Sequence, residues 1–242
     1  MVERGLVESR ERARALVLAG KVRVGGVTTA KAGTIVEPDT PIDLVLPDHP
    51  YVGRGGVKLA AALAALSVPI AGRHALDIGA STGGFTDALL QHGAESVVAL
   101  DVGRNQLAWR LRTDPRVTVI EGVNARHLRA ADLPPDRRRF DLVTVDVAFI
   151  SVRHILPVIP ALLAPDADVV VLVKPQFEAG RREVGKGGIV REPATHARVV
   201  RDVAAAAATI GLGEAGRTAA SITGAEGNQE FFLHLRREIE AT

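Results

Sequence analysis

Residues 76–87 read Leu76-Asp77-Ile78-Gly79-Ala80-Ser81-Thr82-Gly83-Gly84-Phe85-Thr86-Asp87. A short apolar strand runs into a glycine-rich turn, and the turn opens a helix. Glycine there permits a tight bend and lets a ligand approach the backbone. In an open parallel sheet, ligands bind at the carboxyl ends of strands, where the strand order reverses. The spacing is G-x-x-x-G-G, not the G-x-G-x-x-G of dinucleotide-binding turns. An acid precedes the turn and no basic residue lies within it. That suits a cofactor with a cationic amino-acid end better than a pyrophosphate. S-Adenosylmethionine is the expected cofactor, with a nicotinamide or flavin nucleotide and a plain structural turn as competing readings. The turn residues Asp77, Gly79, Ser81, Gly83, Gly84 and Phe85 are its candidate contacts. Asp101 ends the next strand, where a carboxylate can accept from ribose hydroxyls, and Val102 follows it. Asn124, after the third strand, is placed either to read an adenine or to form a turn.

Outward from this motif, strand and helix patterns alternate. Helices are expected over 58–66, 85–92, 106–112, 152–163 and 193–210. Strands are expected over 75–78, 96–101, 117–120, 140–145, 168–173, 217–222 and 231–236. Short apolar strands alternating with helices specify a doubly wound parallel α/β sheet. Residues 1–45 differ. A helix from Arg10 ends at Gly20, and short strands are expected over 21–24, 34–36 and 42–46. The expected organisation is a small α+β RNA-binding domain over 1–48, a Pro/Gly-rich linker over 49–57 and a large domain over 58–242.

The formal net charge is +2, but residues 1–35 carry seven Lys/Arg against three acids, which leaves the remainder at −2. A small basic end on a near-neutral body suggests a polyanion contact there. Arg10, Arg12, Arg14 and Lys21 are the candidate RNA phosphate contacts; a solvated face with no partner is the alternative. The chain has no cysteine. That excludes disulfides, thiolate zinc or iron–sulfur sites and a cysteine nucleophile, and no metal is expected. The most apolar stretch, 155–173, is broken by prolines and aspartates, so no membrane span is expected. No export signal is evident, and the cytoplasm is the expected location.

Two charged residues close buried-looking apolar strands: Asp146 after Leu142-Val-Thr-Val and Lys174 after Val169-Val-Val-Leu-Val. Packing gives no reason for a charge in either place. Lysine is scarce, at 21, 31, 58, 174 and 186 only, in a chain holding 30 Lys and Arg together. Lysine can shed its proton in a protein, whereas arginine cannot. Lys58 begins the first large-domain helix, and Glu230 opens the last strand.

Five stretches in this order carry a resemblance: Tyr51-Val-Gly-Arg-Gly-Gly-Val-Lys58, the turn from Asp77 to Asp87, Asp146-Val-Ala-Phe-Ile-Ser151, Val173-Lys-Pro-Gln-Phe-Glu178 and Gly185-Lys-Gly-Gly-Ile-Val-Arg191. Over nearly the whole chain it resembles the TlyA family, also labelled hemolysin A. These are rRNA 2′-O-methyltransferases with an S4-type RNA-binding domain before an FtsJ-like catalytic domain. The resemblance implies a Rossmann-like class I methyltransferase sheet whose last strand is antiparallel. It implies S-adenosylmethionine as cofactor and ribosomal RNA or a ribosomal subunit as partner. It also implies that Lys58, Asp146, Lys174 and Glu230 form the Lys-Asp-Lys-Glu tetrad of ribose methyltransferases.

Such a tetrad makes chemical sense. A ribose 2′-hydroxyl is a weak acid, so direct (SN2) displacement at a sulfonium methyl needs its proton accepted. A second ammonium nearby disfavours the charged form of a lysine and makes it a better base. Lys174 is the expected base, with Lys58 beside it. Asp146 and Glu230 hold the amines and the ribose, and Asp146 also faces the cofactor's methionine end. Phe149 and Phe177 follow tetrad members by three residues, as stacking surfaces for the target nucleotide or as core plugs. Residues 178–191 read as a mobile substrate loop or an idle one.

Three departures from the family stand out. The chain starts inside the usual first helix of the small domain. Gly53 stands where serine is common. The end soon after the last strand resembles the short-ended subgroup, which methylates a cytidine ribose of large-subunit rRNA. Competing functions are a base methyltransferase, a non-catalytic RNA-binding assembly factor and a pore-forming toxin. The first would want an Asn-Pro-Pro-aromatic loop or a cysteine where Asp146-Val-Ala-Phe149 stands, and the last a membrane span.

Overall fold

The computed structural model describes residues 1–7, 9–29, 31–45 and 49–237. The chain divides into two compact units, Met1–Pro50 and Tyr51–Thr242. The expected linker over 49–57 therefore falls mostly inside the second unit.

In the first unit, helix α1 (Arg10–Leu18) lays Leu16 and Val17 against Val22 of a small antiparallel sheet. Its strands are β1 (Val22–Val24), β2 (Val27–Thr28) and β3 (Ile42–Leu44), in the order β2-β1-β3. The expected strand at Thr34–Val36 does not form. Arg4 clips the adjoining turn instead, donating to the carbonyls of Thr40 (2.7 Å) and Pro38 (2.5 Å).

The second unit opens with α2 (Arg54–Ala65), which starts four residues before the Lys58 expected. It continues through β4 (His74–Ile78), α3 (Gly84–Gln91), β5 (Ser96–Asp101), α4 (Trp109–Arg112), β6 (Val117–Glu121) and β7 (Phe140–Val145). It closes with β8 (Leu163–Val173), α5 (Pro175–Glu178), α6 (Pro193–Ala208), β9 (Leu212–Ala219) and β10 (Phe231–Arg237). The sheet order is β6-β5-β4-β7-β8-β10-β9. Strands β4 to β8 pair in parallel, while β10 is antiparallel to both β8 and β9. This is the class I methyltransferase arrangement of a Rossmann-like sheet. Residues 169–173 of β8 are all buried, as a central strand covered on both faces requires.

Three expectations need correction. Residues 152–163 form three separate 3₁₀ turns, not one helix. Pro157 and Pro160 lack the N–H that a continuous helix needs, and their rings crowd the preceding turn. The helix expected from Gln106 shrinks to α4. The strand expected near 217–222 runs from Leu212 to Ala219, earlier than the apolar pattern suggested.

The winding reverses at β4: β5 and β6 lie on one side, β7 and β8 on the other. The carboxyl ends of β4 and β7 therefore frame a crevice, and the Asp146 amide donates to the Ile78 carbonyl (2.9 Å). The N-termini of α2 and α3 meet there at backbone distance. A Cβ on Gly84 would lie 3.0 Å from the Gly56 amide nitrogen, and one on Gly56 would lie 2.4 Å from the Tyr51 ring. Glycine at both places lets the helix bearing Lys58 approach the motif turn.

Candidate active site

The turn after β4 is built on main-chain bonds. The amides of Gly79 (2.8 Å) and Ala80 (3.1 Å) donate to the Leu100 carbonyl, and the Gly83 amide donates to that of Ala80 (2.7 Å). The Ser81 amide (2.8 Å) and Gly103 amide (2.7 Å) donate to separate oxygens of Asp101. Each oxygen keeps a lone pair for a further donor. A cleft of about 390 Å³ opens over these groups, lined by Gly79, Ser81, Asp101, Val102, Asn124 and Asp146, with Leu100, Ala125, Val147 and Ile150 as apolar walls. A second cavity of about 200 Å³ shares Gly79, Ser81 and Asp146 with it and is bordered by Gly53, Gly55, Gly84 and Phe85. A Cβ on Gly79, whose φ is +88°, would stand 2.2 Å from the Asp146 carbonyl oxygen, so this floor tolerates no side chain. Apolar walls, a carboxylate at a strand end and a glycine-lined cradle fit S-adenosylmethionine.

Two residues expected as cofactor contacts do not line either cavity. Gly83 faces Leu107 and Leu111. Asp77 is fully buried beneath the turn, where its carboxyl accepts from Thr86 Oγ1 (2.7 Å) and Thr144 Oγ1 (3.0 Å). It ties α3 and β7 to β4 and touches neither cavity. Burial pushes this carboxyl up to about 7, with the nearby charge of Asp146 adding to the rise against the two hydroxyl bonds. The folded chain therefore binds a proton that the unfolded chain has released, and stability falls as pH rises from about 4 to about 7. At about 1.4 kcal/mol per pH unit, the stability lost across that range is roughly 4 kcal/mol. Asp77→Asn is expected to remove this slope, read from urea unfolding at several pH values; an unchanged slope would assign it elsewhere. Asn124 lines the cleft and also caps the next turn, its Oδ1 accepting from the Arg126 amide (3.0 Å).

The four candidate catalytic residues assemble as two ion pairs. Lys58 Nζ is 2.6 Å from Glu230 Oε2, with both residues buried. Lys174 Nζ is 2.5 Å from Asp146 Oδ1, off the direction of a good hydrogen bond. The pairing Phe231↔Val173 sets Glu230 opposite Lys174 across the two strand ends. The pairs are thus neighbours on one edge, and each amine has a carboxylate as its near partner.

Four groups at the site escape the sequence reading. Gln106 Oε1 accepts from Ser81 Oγ (3.3 Å) on the cleft wall. Arg54 donates to the Thr223 carbonyl (2.8 Å). Buried Glu178 accepts from Ser151 Oγ (2.6 Å) and the Val152 amide (2.7 Å), bracing the loop after Asp146. Asn228 is buried two residues before Glu230. Phe149 borders the cleft in the left-handed region (φ +64°), 93% exposed, its ring centroid 5.5 Å from that of Phe177. That conformation is uncommon for a bulky residue.

Residues 51–237 match the FtsJ-like methyltransferase family and residues 1–42 the S4 domain. The chain is 46% identical over 241 residues to the 16S/23S rRNA (cytidine-2′-O)-methyltransferase TlyA of Mycobacterium tuberculosis, covering 99% of this chain and 89% of that protein. The chain belongs to the TlyA family of FtsJ-like methyltransferases. YqxC of Bacillus subtilis, described as a candidate rRNA methyltransferase, is 47% identical over 235 residues, 97% of this chain and 83% of its own. A solved structure from Streptococcus thermophilus, described as a candidate hemolysin, superposes with a TM-score of 0.76 at 42% identity, over 96% of this chain and 84% of that one. As a TlyA-type protein the chain is an S-adenosylmethionine-dependent methyltransferase with an S4 RNA-binding domain. No helix among the described residues is long and apolar enough to cross a membrane.

In the S4 unit, Arg10 and Arg14 stand one turn apart on α1, exposed. With Lys31 they border a cavity of about 390 Å³. Lys21 is exposed after the helix. The Arg12 side chain lies outside the described residues.

Proposed function

We propose that the protein methylates the 2′-oxygen of a cytidine ribose in ribosomal RNA, acting on a ribosomal subunit in the cytoplasm. The observation that carries this reading is the pair of Lys–carboxylate contacts, Lys58–Glu230 and Lys174–Asp146, of which Asp146 lines the cofactor cleft. Bound S-adenosylmethionine supplies a sulfonium methyl open to direct displacement. Asp101 holds its ribose hydroxyls, the apolar walls with Asn124 take its adenine, and Asp146 faces its methionine end. Lys174 accepts the proton of the target hydroxyl. Glu230 fixes Lys58 as the companion cation. Phe149 and Phe177 give the unstacked base an aromatic surface, as single-stranded RNA recognition commonly requires. Arg10, Arg12, Arg14 and Lys21 bind backbone phosphates and set the register of the RNA.

The test uses labelled S-adenosylmethionine and ribosomal subunits that lack the modification. After alkaline hydrolysis, a ribose methyl remains in an alkali-resistant dinucleotide, because the blocked 2′-oxygen cannot attack its own linkage. A base methyl is released in a mononucleotide. Label in mononucleotides overturns the reading, and nucleoside analysis identifies the cytidine. Absence of transfer to either subunit and to whole ribosomes favours the assembly-factor alternative.

A further inference from the structure

Residues 178–191 carry four cations, Arg181, Arg182, Lys186 and Arg191, all exposed. None of the four side chains has an ion-pair partner among the described residues. The two acids of the same stretch are committed elsewhere. Glu178 is held by Ser151, Val152 and Arg153. Glu183 pairs with Arg198 at 2.7 Å. Glu226 places a carboxylate near Gly188, and Glu192 follows Arg191 in sequence. The stretch therefore presents uncompensated positive charge.

It is also fastened. The Gly185 amide donates to the Ile189 carbonyl (3.0 Å), closing a turn in which Gly187 and Gly188 have φ of +78° and +75°. Asn228 has no exposed surface and uses both ends of its amide on this turn. Its Oδ1 accepts from the Val190 amide (3.0 Å) and its Nδ2 donates to the Gly188 carbonyl (2.9 Å). Its own carbonyl accepts from the Gly224 amide (2.8 Å). Glu230 follows two residues on, so close to Gly224 that a Cβ there would be 2.6 Å from its Oε1. A buried amide is costly unless both its functions are bonded. Here both bind a distant turn, which joins Lys186 and the adjacent Arg191 to the strand end carrying Glu230.

We propose that Asn228 is a positioning residue for the methyl transfer, holding the turn 185–190 so that Lys186 and Arg191 grip RNA phosphates flanking the target nucleotide. This rests on the proposed ribose methylation and adds to it the element that registers the RNA backbone against the reacting pair. The contact is electrostatic and sequence-independent, as phosphate contacts are. A compact ammonium on a glycine turn can follow the backbone closely.

The experiment measures KM and kcat on unmodified ribosomal subunits across a KCl series. Lys186→Gln is expected to raise KM severalfold with kcat held, and to reduce the slope of log KM against log salt by roughly 1. Asn228→Ala is expected to raise KM and flatten the salt slope at least as much, and to lower kcat about tenfold, with cofactor affinity in calorimetry unchanged; in that background Lys186→Gln adds little to KM, since the turn is no longer held. Additive effects of the two substitutions overturn the proposal. Lys186 lies on an exposed tip, so its variant folds; an unchanged salt slope overturns the proposal even where Asn228→Ala does not fold. Wild-type protein that transfers no methyl to ribose would instead refute the reading beneath it.

Discussion

Lys174→Arg is expected to lose at least about a hundredfold in methyl transfer, within the roughly 10²–10⁴ that a positioned general base contributes. The substitution keeps the positive charge beside Asp146, 2.5 Å from Lys174 Nζ, and a guanidinium pairs well with a carboxylate. Electrostatic anchoring and cofactor binding are therefore preserved. What arginine cannot do is lose its proton. A base that must be neutral when it takes the hydroxyl proton is lost, while a residue that only pins Asp146 is replaced without harm. Single-turnover transfer to unmodified subunits, with cofactor affinity measured by calorimetry, separates the two. Wild-type turnover by Lys174→Arg would sink the assignment of Lys174 as base.

The parts of this site legible in the sequence share one property. Asp101, Asp146 and Lys174 are charges at the ends of apolar strands, where the hydrophobic pattern alone predicts none. Strand ends are fixed by pattern, and the doubly wound order follows from strand–helix alternation, so these groups fall on one edge before any contact is known. Asp77 shows the limit. It too sits near a strand end, but whether its side chain faces the crevice or the packed helix depends on Thr86 and Thr144, and Thr144 is on a different strand. Glu178 and Asn228 were illegible for a similar reason: a buried polar residue gains meaning from partners that lie 26 to 40 positions away in sequence. The segment 152–163 was misread because its apolar spacing is helical while its prolines are not. Sequence pattern thus located the charges at the strand ends better than the groups that hold them.

Asp168→Asn is expected to cost about 3 kcal/mol of stability, the lower end for breaking a buried ion pair, while leaving transfer activity nearly intact. Asp168 has no exposed surface and receives three donors, two of them guanidinium groups: Arg73 Nη1 (2.5 Å), His234 Nε2 (2.6 Å) and Arg236 Nε (2.6 Å). Burial alone would raise this carboxyl, but hydrogen bonds from His234, Arg236 and Arg73 outweigh it and hold it well below the usual carboxylate range. The lower end applies because the Arg236 side chain is half-exposed and can turn to water once unpaired. At about 2–4 °C per kcal/mol for a unit of this size, Tm should fall by about 6–12 °C. The pH dependence has a definite sign. The unfolded carboxylate takes up its proton near pH 4 and the folded one only at lower pH, so the stabilisation is complete above that range and is lost as pH falls through it. The variant should therefore show a shallower acid limb, opposite in direction to the slope that Asp77 imposes between pH 4 and 7. Activity should survive because Asp168 lies six residues before Lys174 on β8, about 20 Å along the strand. Calorimetric unfolding across pH, paired with transfer assays well below Tm, tests both halves. A variant as stable as wild type would mean that the three donors find water at no cost. One that is stable but inactive would mean that the far end of β8 communicates with the ion pairs at its mouth.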